Sequence, residues 1–155
     1  MPDFAQSPEA PRFPNRAIRL TFEYEGVTVR LVAQRRLAMV VPRSHAIAGY
    51  EGQSGFWFEA RDASGRVLYR RIAQNPIRFD VEVFPGTPDG AMRRQSVRNP
   101  RGSFDLVIPD LADARTVALV SSPMGPDASL EPAKEFASFD LGGADQRGPD
   151  AEVKP

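Results

Sequence analysis

The sequence predicts an all-β fold, a two-sheet antiparallel sandwich of about eight or nine short strands. Three observations predict it: runs in which large apolar and polar residues alternate, turn signals between these runs, and 15 prolines and 12 glycines among 155 residues. Alternation with period 2 is typical of a strand with one buried face, and frequent turn residues favour short elements over long helices. Because a sheet with one apolar face needs a second layer to cover it, we expect two sheets.

The clearest element is a β-hairpin around the only tryptophan, in the segment GFWFEARDASGRVLYRRI from Gly55 to Ile72. Successive side chains of a strand point to opposite faces, so Trp57 and Phe58 lie on different faces of the first strand. Asp62 can accept hydrogen bonds from the turn backbone, and Gly65 can adopt a positive φ. The segment therefore predicts two paired strands and a defined turn.

Three strands are expected before the hairpin, with a tight reversal at Glu25-Gly26 and a charged break at Gln34-Arg35-Arg36. In chain order these strands are Ala17 to Tyr24, Val27 to Leu31 and Leu37 to Val41.

Four further strands are expected after the hairpin: Phe79 to Val83, Phe104 to Ile108, Arg115 to Val120, and Glu135 to Leu141. The last strand is irregular, because Phe136 and Phe139 are out of phase in its alternation. The polar stretch from Pro85 to Gly102 is longer than the usual limit of about 12 to 15 residues for a structureless connection. It is a disordered excursion, a functional loop, or a short element that the pattern does not reveal.

The sequence divides the chain into three parts. Residues 1–15 form a proline-rich arm and residues 142–155 an acidic tail, both expected to be disordered because they lack apolar periodicity. Residues 16–141 form the β-sandwich domain, and a chain of 155 residues suits one such domain.

Composition excludes several classes of protein. The chain has no cysteine, which excludes disulfides, thiolate zinc sites and a cysteine nucleophile. Twenty basic and twenty acidic residues give a net charge of zero, so the overall charge predicts no polyanionic partner. The sequence shows neither a secretory leader nor the run of about 20 apolar residues that a membrane-spanning helix needs. We therefore expect a soluble, cytoplasmic protein without membrane insertion.

The tryptophan strand that leads into a hairpin, and the segment LVIPDLADARTVALV from Leu106 to Val120, resemble immunoglobulin-like and fibronectin type III-like β-sandwich domains. In that resemblance Leu111 is the buried leucine of the corner between two closing strands. The chain departs from the pattern because no tyrosine lies near Thr116 or Val117 and the cysteine pair of antibody domains is absent. The resemblance implies the architecture of the domain and no binding residues.

No residues are grouped as a catalytic mechanism requires. His45 is the only histidine, and Ser44 and Glu51 are its nearest candidate partners, but neighbours on a loop do not readily converge at hydrogen-bond distance. Asp80 and Glu82 point to the same side of a strand, as paired glycosidase carboxylates could, although a solvated strand face explains them more simply. We therefore expect a protein that is not an enzyme.

Metal and nucleic-acid sites are also weakly indicated. With one histidine and no cysteine, only hard cations such as Ca²⁺ have plausible ligands, for example Asp110 with Asp113, and no calcium-loop motif is present. We expect no metal and no cofactor. Arginine pairs at Arg70-Arg71 and Arg93-Arg94 could line a nucleic-acid strip, but a core position explains the neighbouring aromatic residues more simply.

Two functions remain open. The first is a non-catalytic interaction, structural or accessory module with a protein partner, whose contact surface is a sheet edge or the stretch from Pro85 to Gly102. The second is a sandwich that binds a carbohydrate or an anionic small molecule through arginine forks and a stacking aromatic ring. The second function requires an exposed aromatic ring. Its candidate ligand-binding residues are Trp57, Tyr69, Arg70, Arg71 and Arg94.

Overall fold

The computed structural model describes residues 15–83, 86, 88, 90–124 and 130–142. These residues form nine strands and no helix. The strands are β1 (Ala17–Glu25), β2 (Thr28–Leu37), β3 (Phe56–Arg61), β4 (Val67–Ala73), β5 (Asp80–Val83), β6 (Arg93–Ser96), β7 (Arg101–Pro109), β8 (Thr116–Ser121) and β9 (Lys134–Asp140). The described part of the chain therefore contains no helix that could cross a membrane.

Two antiparallel sheets form the domain. Sheet A has the strand order β2-β1-β7 and sheet B the order β4-β3-β8-β9, while β5 and β6 pair as a separate two-stranded ribbon. Every pairing is antiparallel. The predicted all-β, two-sheet fold is confirmed.

The core lies between the inner faces of the two sheets. The Phe22 ring of β1 stacks on Phe104 of β7 at 5.0 Å between centroids, and it meets Phe139 of sheet B at 5.2 Å. Ile18, Leu20 and Phe22 alternate with exposed or half-buried residues along β1, as period 2 requires, and all three are fully buried. The same apolar cluster thus joins both sheets.

The predicted hairpin of β3 and β4 is confirmed, including its turn. One carboxylate oxygen of Asp62 accepts the backbone N–H groups of Ser64 and Arg66, both at 2.9 Å, and Gly65 adopts a φ of 84°. A further hydrogen bond from the Ser64 hydroxyl, followed by those from the backbone, holds the pKa of Asp62 below its ordinary value. The turn is therefore fixed by the aspartate and glycine that the sequence singles out.

The predicted charged break at Gln34-Arg35-Arg36 and the predicted third strand from Leu37 to Val41 are both wrong. β2 continues through these polar residues, since an edge strand can keep its backbone pairing with β1 while its side chains reach water. A β-bulge also leaves Val32 without a partner and changes the phase of the alternation. Residues 38–41 then leave the sheet, and Val41 enters the core at 5% exposure.

β9 confirms the last predicted strand and explains its irregular pattern. Its register with β8 pairs Leu119 with Ala137 and Val120 with Glu135, so Phe136 is the extra residue of a bulge. The bulge brings both phenylalanines of β9 against the core.

The stretch from Pro85 to Gly102 contains a strand that the sequence pattern does not predict. β6 pairs with β5, and all four of its residues, Arg93–Ser96, are exposed. Without apolar alternation, no periodic signal identifies it. The expectations for residues 1–14 and 143–155 lie outside the described residues.

Candidate functional site

The outer face of sheet B is covered by the chain itself. β3 is buried on both faces: Phe58 packs into the core, while Trp57 and Glu59 on the opposite face are only 5% and 3% exposed. Part of the cover is the segment 42–50, whose Tyr50 ring meets Trp57 edge to face at 5.2 Å. The outer face of β3 therefore carries a second set of buried residues, which includes the polar side chain of Glu59.

Four side chains form what we call the Glu59 cluster: Trp57, Glu59, Arg61 and Arg70. The register of the hairpin places Arg70 directly opposite Glu59. One carboxylate oxygen of Glu59 accepts the Nε and Nη2 groups of Arg70 at 2.9 and 2.5 Å and the indole N–H of Trp57 at 3.0 Å. Its other oxygen accepts Nε of Arg61 at 2.9 Å, so both oxygens are occupied.

The electrostatics of the cluster favour a charged carboxylate. Burial alone would raise the pKa of Glu59, but hydrogen bonds from Arg70 and Arg61 and the attraction of their two positive charges outweigh it. The pKa of Glu59 therefore lies below its ordinary value. Burial acts against the charge of Arg61, yet its hydrogen bonds to Glu135 and Glu59 raise its pKa.

Arg70 also holds the covering segment. Its Nη1 donates to the carbonyls of Ala46, at 3.1 Å, and Ile47, and the guanidinium carbon lies 4.0 Å from the centre of the Tyr50 ring. The Arg70 side chain is only 7% exposed. Its guanidinium groups thus make hydrogen bonds within the protein, and Arg70 connects β4 to segment 42–50.

The outer edge of β4 is covered by the same segment. The His45 N–H donates to the Arg70 carbonyl at 2.8 Å, Ser44 Oγ accepts the Arg70 N–H at 3.0 Å, and His45 Nδ1 accepts the Ile72 N–H at 3.2 Å. Ser44 and His45 therefore bind backbone groups of a strand edge.

The predicted ligand-binding residues do not form one site. Tyr69 is fully buried in the core, where its hydroxyl donates to the Pro42 carbonyl at 2.9 Å, and burial raises its pKa to about 12. Arg71 is half-buried and donates to the Arg43 carbonyl. Only Trp57 and Arg70 lie together, and neither Trp57 nor Tyr69 presents a ring face to solvent.

Sequence reasoning missed Glu59 and Arg61 as members of a functional or structural cluster. The turn alone does not give the pair, because counting back from Arg61 and Val67 places Tyr69 opposite Glu59. A β-bulge at Leu68 shifts the partner of Glu59 to Arg70.

Arg94, the fifth predicted residue, lines a cleft of about 660 Å³ between the ribbon and the end of sheet B. Phe56, Ile77 and Phe79 supply apolar walls, and Arg78 is the second arginine at the cleft. No acidic side chain occurs among the described residues that line it. The cleft is therefore apolar in its walls and positive in its charged groups.

The floor of the cleft is built from hydroxyl groups that the protein already uses. Ser121 Oγ accepts the side-chain N–H of Asn75 at 3.2 Å and donates to the Ser122 carbonyl at 2.7 Å. Ser122 Oγ accepts the Gly55 N–H at 2.9 Å and donates to the Glu131 carbonyl at 2.5 Å. A ligand would thus meet hydroxyl groups that are already hydrogen-bonded within the protein.

β7 is an edge strand of sheet A, so half of its backbone N–H and C=O groups point away from its neighbour β1. Two hydrogen bonds bracket its pairing with β1: Gly26 N–H to the Pro100 carbonyl at 2.8 Å, and Asp110 N–H to the Arg16 carbonyl at 3.0 Å. In an antiparallel ladder hydrogen-bonded pairs alternate with non-bonded pairs, so the even-numbered residues of β7 bond to β1. The odd-numbered residues direct their N–H and C=O groups away from it. We call these groups of Arg101, Ser103, Asp105 and Val107 the β7 edge.

Among the four edge strands of sheets A and B, β7 is the one whose edge is regular and uncovered by described residues. Its register with β1 has no bulge, and no described residue donates a backbone hydrogen bond to it or accepts one from it. By contrast, β4 is covered by its own chain, whereas β2 and β9 each carry a bulge. Bulges are a common protection of exposed edges.

No three His, Asp or Glu side chains of the described residues lie close enough together to hold a metal ion. No protein family matches the chain, and no curated protein sequence matches it significantly.

Proposed function

We propose that this chain is a non-catalytic interaction module that binds a protein partner along the β7 edge. The observation that carries the proposal is the row of outward N–H and C=O groups on a regular strand, whereas the three other edges of sheets A and B are covered or irregular. An extended segment of a partner could add to sheet A by main-chain hydrogen bonds, which give affinity in strand addition, while pockets for alternate side chains give specificity.

The exposure of β7 supports this contact. Arg101, Ser103 and Asp105 are exposed, and Phe104 is half-buried between them. An added strand would cover the remaining exposed surface of Phe104 and extend the hydrophobic core sideways. Both apolar and hydrogen-bonding contributions are thus available on one short stretch.

The engagement of the reactive side chains supports a non-catalytic role. The negative charge of Glu59 is paired with two arginines, and Ser44 and His45 make hydrogen bonds to the backbone of β4. Hydrolysis of ester, glycoside or peptide substrates by the purified protein, abolished by one substitution that leaves the fold intact, would refute this part of the proposal.

We also propose an immunoglobulin-like origin for the architecture. In such domains one sheet carries a hairpin beside the last two strands, and the order β4-β3-β8-β9 agrees with that. The other sheet normally has the second strand between the first and a later one, whereas β1 is central here. The proposed relationship therefore includes an exchange of the first two strand positions.

A pair of variants at Ser103 tests the contact surface. Ser103→Pro removes an outward N–H without removing a bond to β1, while Ser103→Ala keeps that N–H and deletes only the hydroxyl. Proteins that the wild-type chain captures from the source cell would be identified and purified. Their affinity for the wild-type chain and for both variants would then be measured by calorimetry. We expect binding to S103A to match the wild type and binding to S103P to fall by roughly tenfold, because the partner's hydrogen-bond acceptor is left unpaired.

If the captured partner binds S103P and S103A equally, the β7 edge is not the contact surface. Circular dichroism and thermal unfolding of both variants would establish that S103P retains the fold.

The cleft favours a second candidate function, binding of a small organic anion. Arg78 makes no hydrogen bond or ion pair with any residue that the structure describes, and it lies beside the apolar walls formed by Phe56 and Ile77. Apolar pockets with a few polar groups are typical ligand sites. Amide shifts of Ile77 and Ser96 would be followed by NMR during titration with benzoate or with neutral benzamide. Preference for benzoate that Arg78→Gln abolishes would support this function, and equal shifts with both compounds would exclude it.

A further inference from the structure

We propose that the β7 edge binds the β7 edge of a second copy of this chain, antiparallel and with the two-fold axis at Ser103. This inference rests on the proposed function of the β7 edge as a contact surface. The pairing would join two three-stranded sheets into one six-stranded sheet across a symmetric contact.

Backbone geometry permits this pairing over the exposed part of the strand. With the axis at Ser103, the residues that face each other across the contact are Ser103 with its copy, and Arg101 with Asp105 of the other chain, twice. All three are odd-numbered, so each directs its N–H and C=O toward the other chain. All three are exposed, which leaves the hydrogen-bonding groups accessible.

Charge selects the register. An axis at Arg101 or at Asp105 would place two like charges directly opposite each other, which is destabilising in a sheet. An axis at Phe104 would pair Asp105 with Ser103 and Arg101 with Val107, with no attraction between charges. The axis at Ser103 places an arginine opposite an aspartate on both sides of the contact.

The two charged residues are available for such a contact. Asp105 makes no hydrogen bond or ion pair with any residue that the structure describes. Arg101 donates to Glu25 at 2.7 Å, but the two side chains are 73% and 57% exposed. Ion pairs this exposed contribute little to stability, so Arg101 can turn toward another carboxylate at small cost.

The size of the contact predicts a weak dimer. One pair of strands buries less surface than the roughly 1,000 Å² that distinguishes stable interfaces. Dimerisation should therefore increase with protein concentration. It should also weaken as salt is added, because both charge pairs remain near solvent.

Sedimentation equilibrium of the full chain with a charge exchange tests the inference. R101D places two acids opposite each other and D105R two arginines, so each single variant should weaken dimerisation roughly tenfold, since two cross-strand pairs are lost. The double variant R101D/D105R restores opposite charges and should recover dimerisation. Glu25→Gln is the control for the intramolecular ion pair and should leave the dimer unchanged.

The Ser103 variants provide an independent readout. S103P should abolish the dimer and S103A should retain it, because only the proline removes the central pair of N–H groups. A wild-type chain that remains monomeric at several hundred micromolar overturns the inference. So does a double variant that associates no better than the single variants.

The proposed contact surface and the proposed pairing with a second copy can be refuted independently. A monomeric wild-type chain whose captured partner still depends on the Ser103 N–H overturns the second copy and leaves the β7 edge as the contact surface. A dimer and a captured partner that are both indifferent to S103P overturn both.

Discussion

Glu59 combines near-complete burial with a negative charge, which is stable only because its two oxygens are shared among Arg70, Arg61 and Trp57. A buried ion pair is often no better than a well-packed apolar pair, but removing one member leaves the other charge unpaired. The cluster is therefore a point at which a small chemical change should have a large effect.

We expect Glu59→Gln to lower the free energy of unfolding by about 3 kcal/mol. The change keeps the shape of the side chain, but it removes the negative charge and turns an amide N–H₂ toward guanidinium donors. Urea unfolding followed by the fluorescence of Trp57 measures the effect.

Glu23→Gln is the matched control, because Glu23 pairs with Arg30 at 2.7 Å on the surface, where the side chains are 53% and 73% exposed. Its effect should not exceed about 1 kcal/mol. Equal effects of the two substitutions would show that the Glu59 cluster contributes no more than a surface ion pair.

The lowered pKa of Glu59 predicts a dependence of stability on pH. A carboxyl whose pKa is depressed in the folded state stabilises the fold fully above its unfolded pKa, about 4.3, and this contribution is lost as pH falls through the folded pKa. The difference in unfolding free energy between wild type and E59Q should therefore be constant near neutral pH and shrink below about pH 4. Urea titrations at a series of pH values test this, and a difference that grows on acidification would contradict it.

At the scale of single residues, the sequence predicts groups that act within a few positions of each other. Asp62 and Gly65 are identifiable because a turn is local. The burial of Trp57 is not identifiable in this way, because it depends on the contact with Tyr50 and on a separate segment that covers the outer face of sheet B. Alternation identifies two faces of β3, but it does not show that both are covered.

At the scale of elements, alternation fails as a signal in β2 because the strand continues through exposed polar residues and contains a bulge. Alternation is a sound signal only while each residue of a strand has a partner, and the bulge at Val32 breaks that rule in β2. The extra residue Phe136 does the same in β9. β6 is missed for a different reason, since its four exposed residues have no apolar face.

The cover of the β4 edge is an element whose strength can be measured. Ser44→Ala removes the acceptor of the Arg70 N–H, so we expect a loss of about 1 kcal/mol and faster hydrogen exchange at the Arg70 amide. Ser138→Ala, at an exposed position of β9, is the control and should change neither quantity. Unchanged exchange at Arg70 in S44A would mean that the edge is protected without this bond.

At the scale of the whole molecule, two facing sheets are predictable because alternating strands need a common core. The order of the strands within each sheet is not predictable in this way, since it depends on pairings between segments distant in sequence, such as β1 with β7. The predicted strand number agrees with the nine observed partly because one strand predicted in error offsets the missed β6. The β7 edge follows from strand order and register together, which explains why the sequence pattern could name a sheet edge, or the stretch from Pro85 to Gly102, but not the particular strand.

Phe22 tests whether the shared core makes the two sheets one cooperative unit. It lies in sheet A, stacks on Phe104 and contacts Phe139 of sheet B, whereas the single tryptophan, Trp57, reports from the outer face of sheet B. Phe22→Ala should lower stability by about 3 to 5 kcal/mol through lost burial and a cavity. Because the core is common to both sheets, the unfolding midpoint from Trp57 fluorescence and that from far-ultraviolet circular dichroism should shift by the same amount. A fluorescence midpoint that stays in place while the dichroism midpoint falls would show that sheet B remains folded without sheet A.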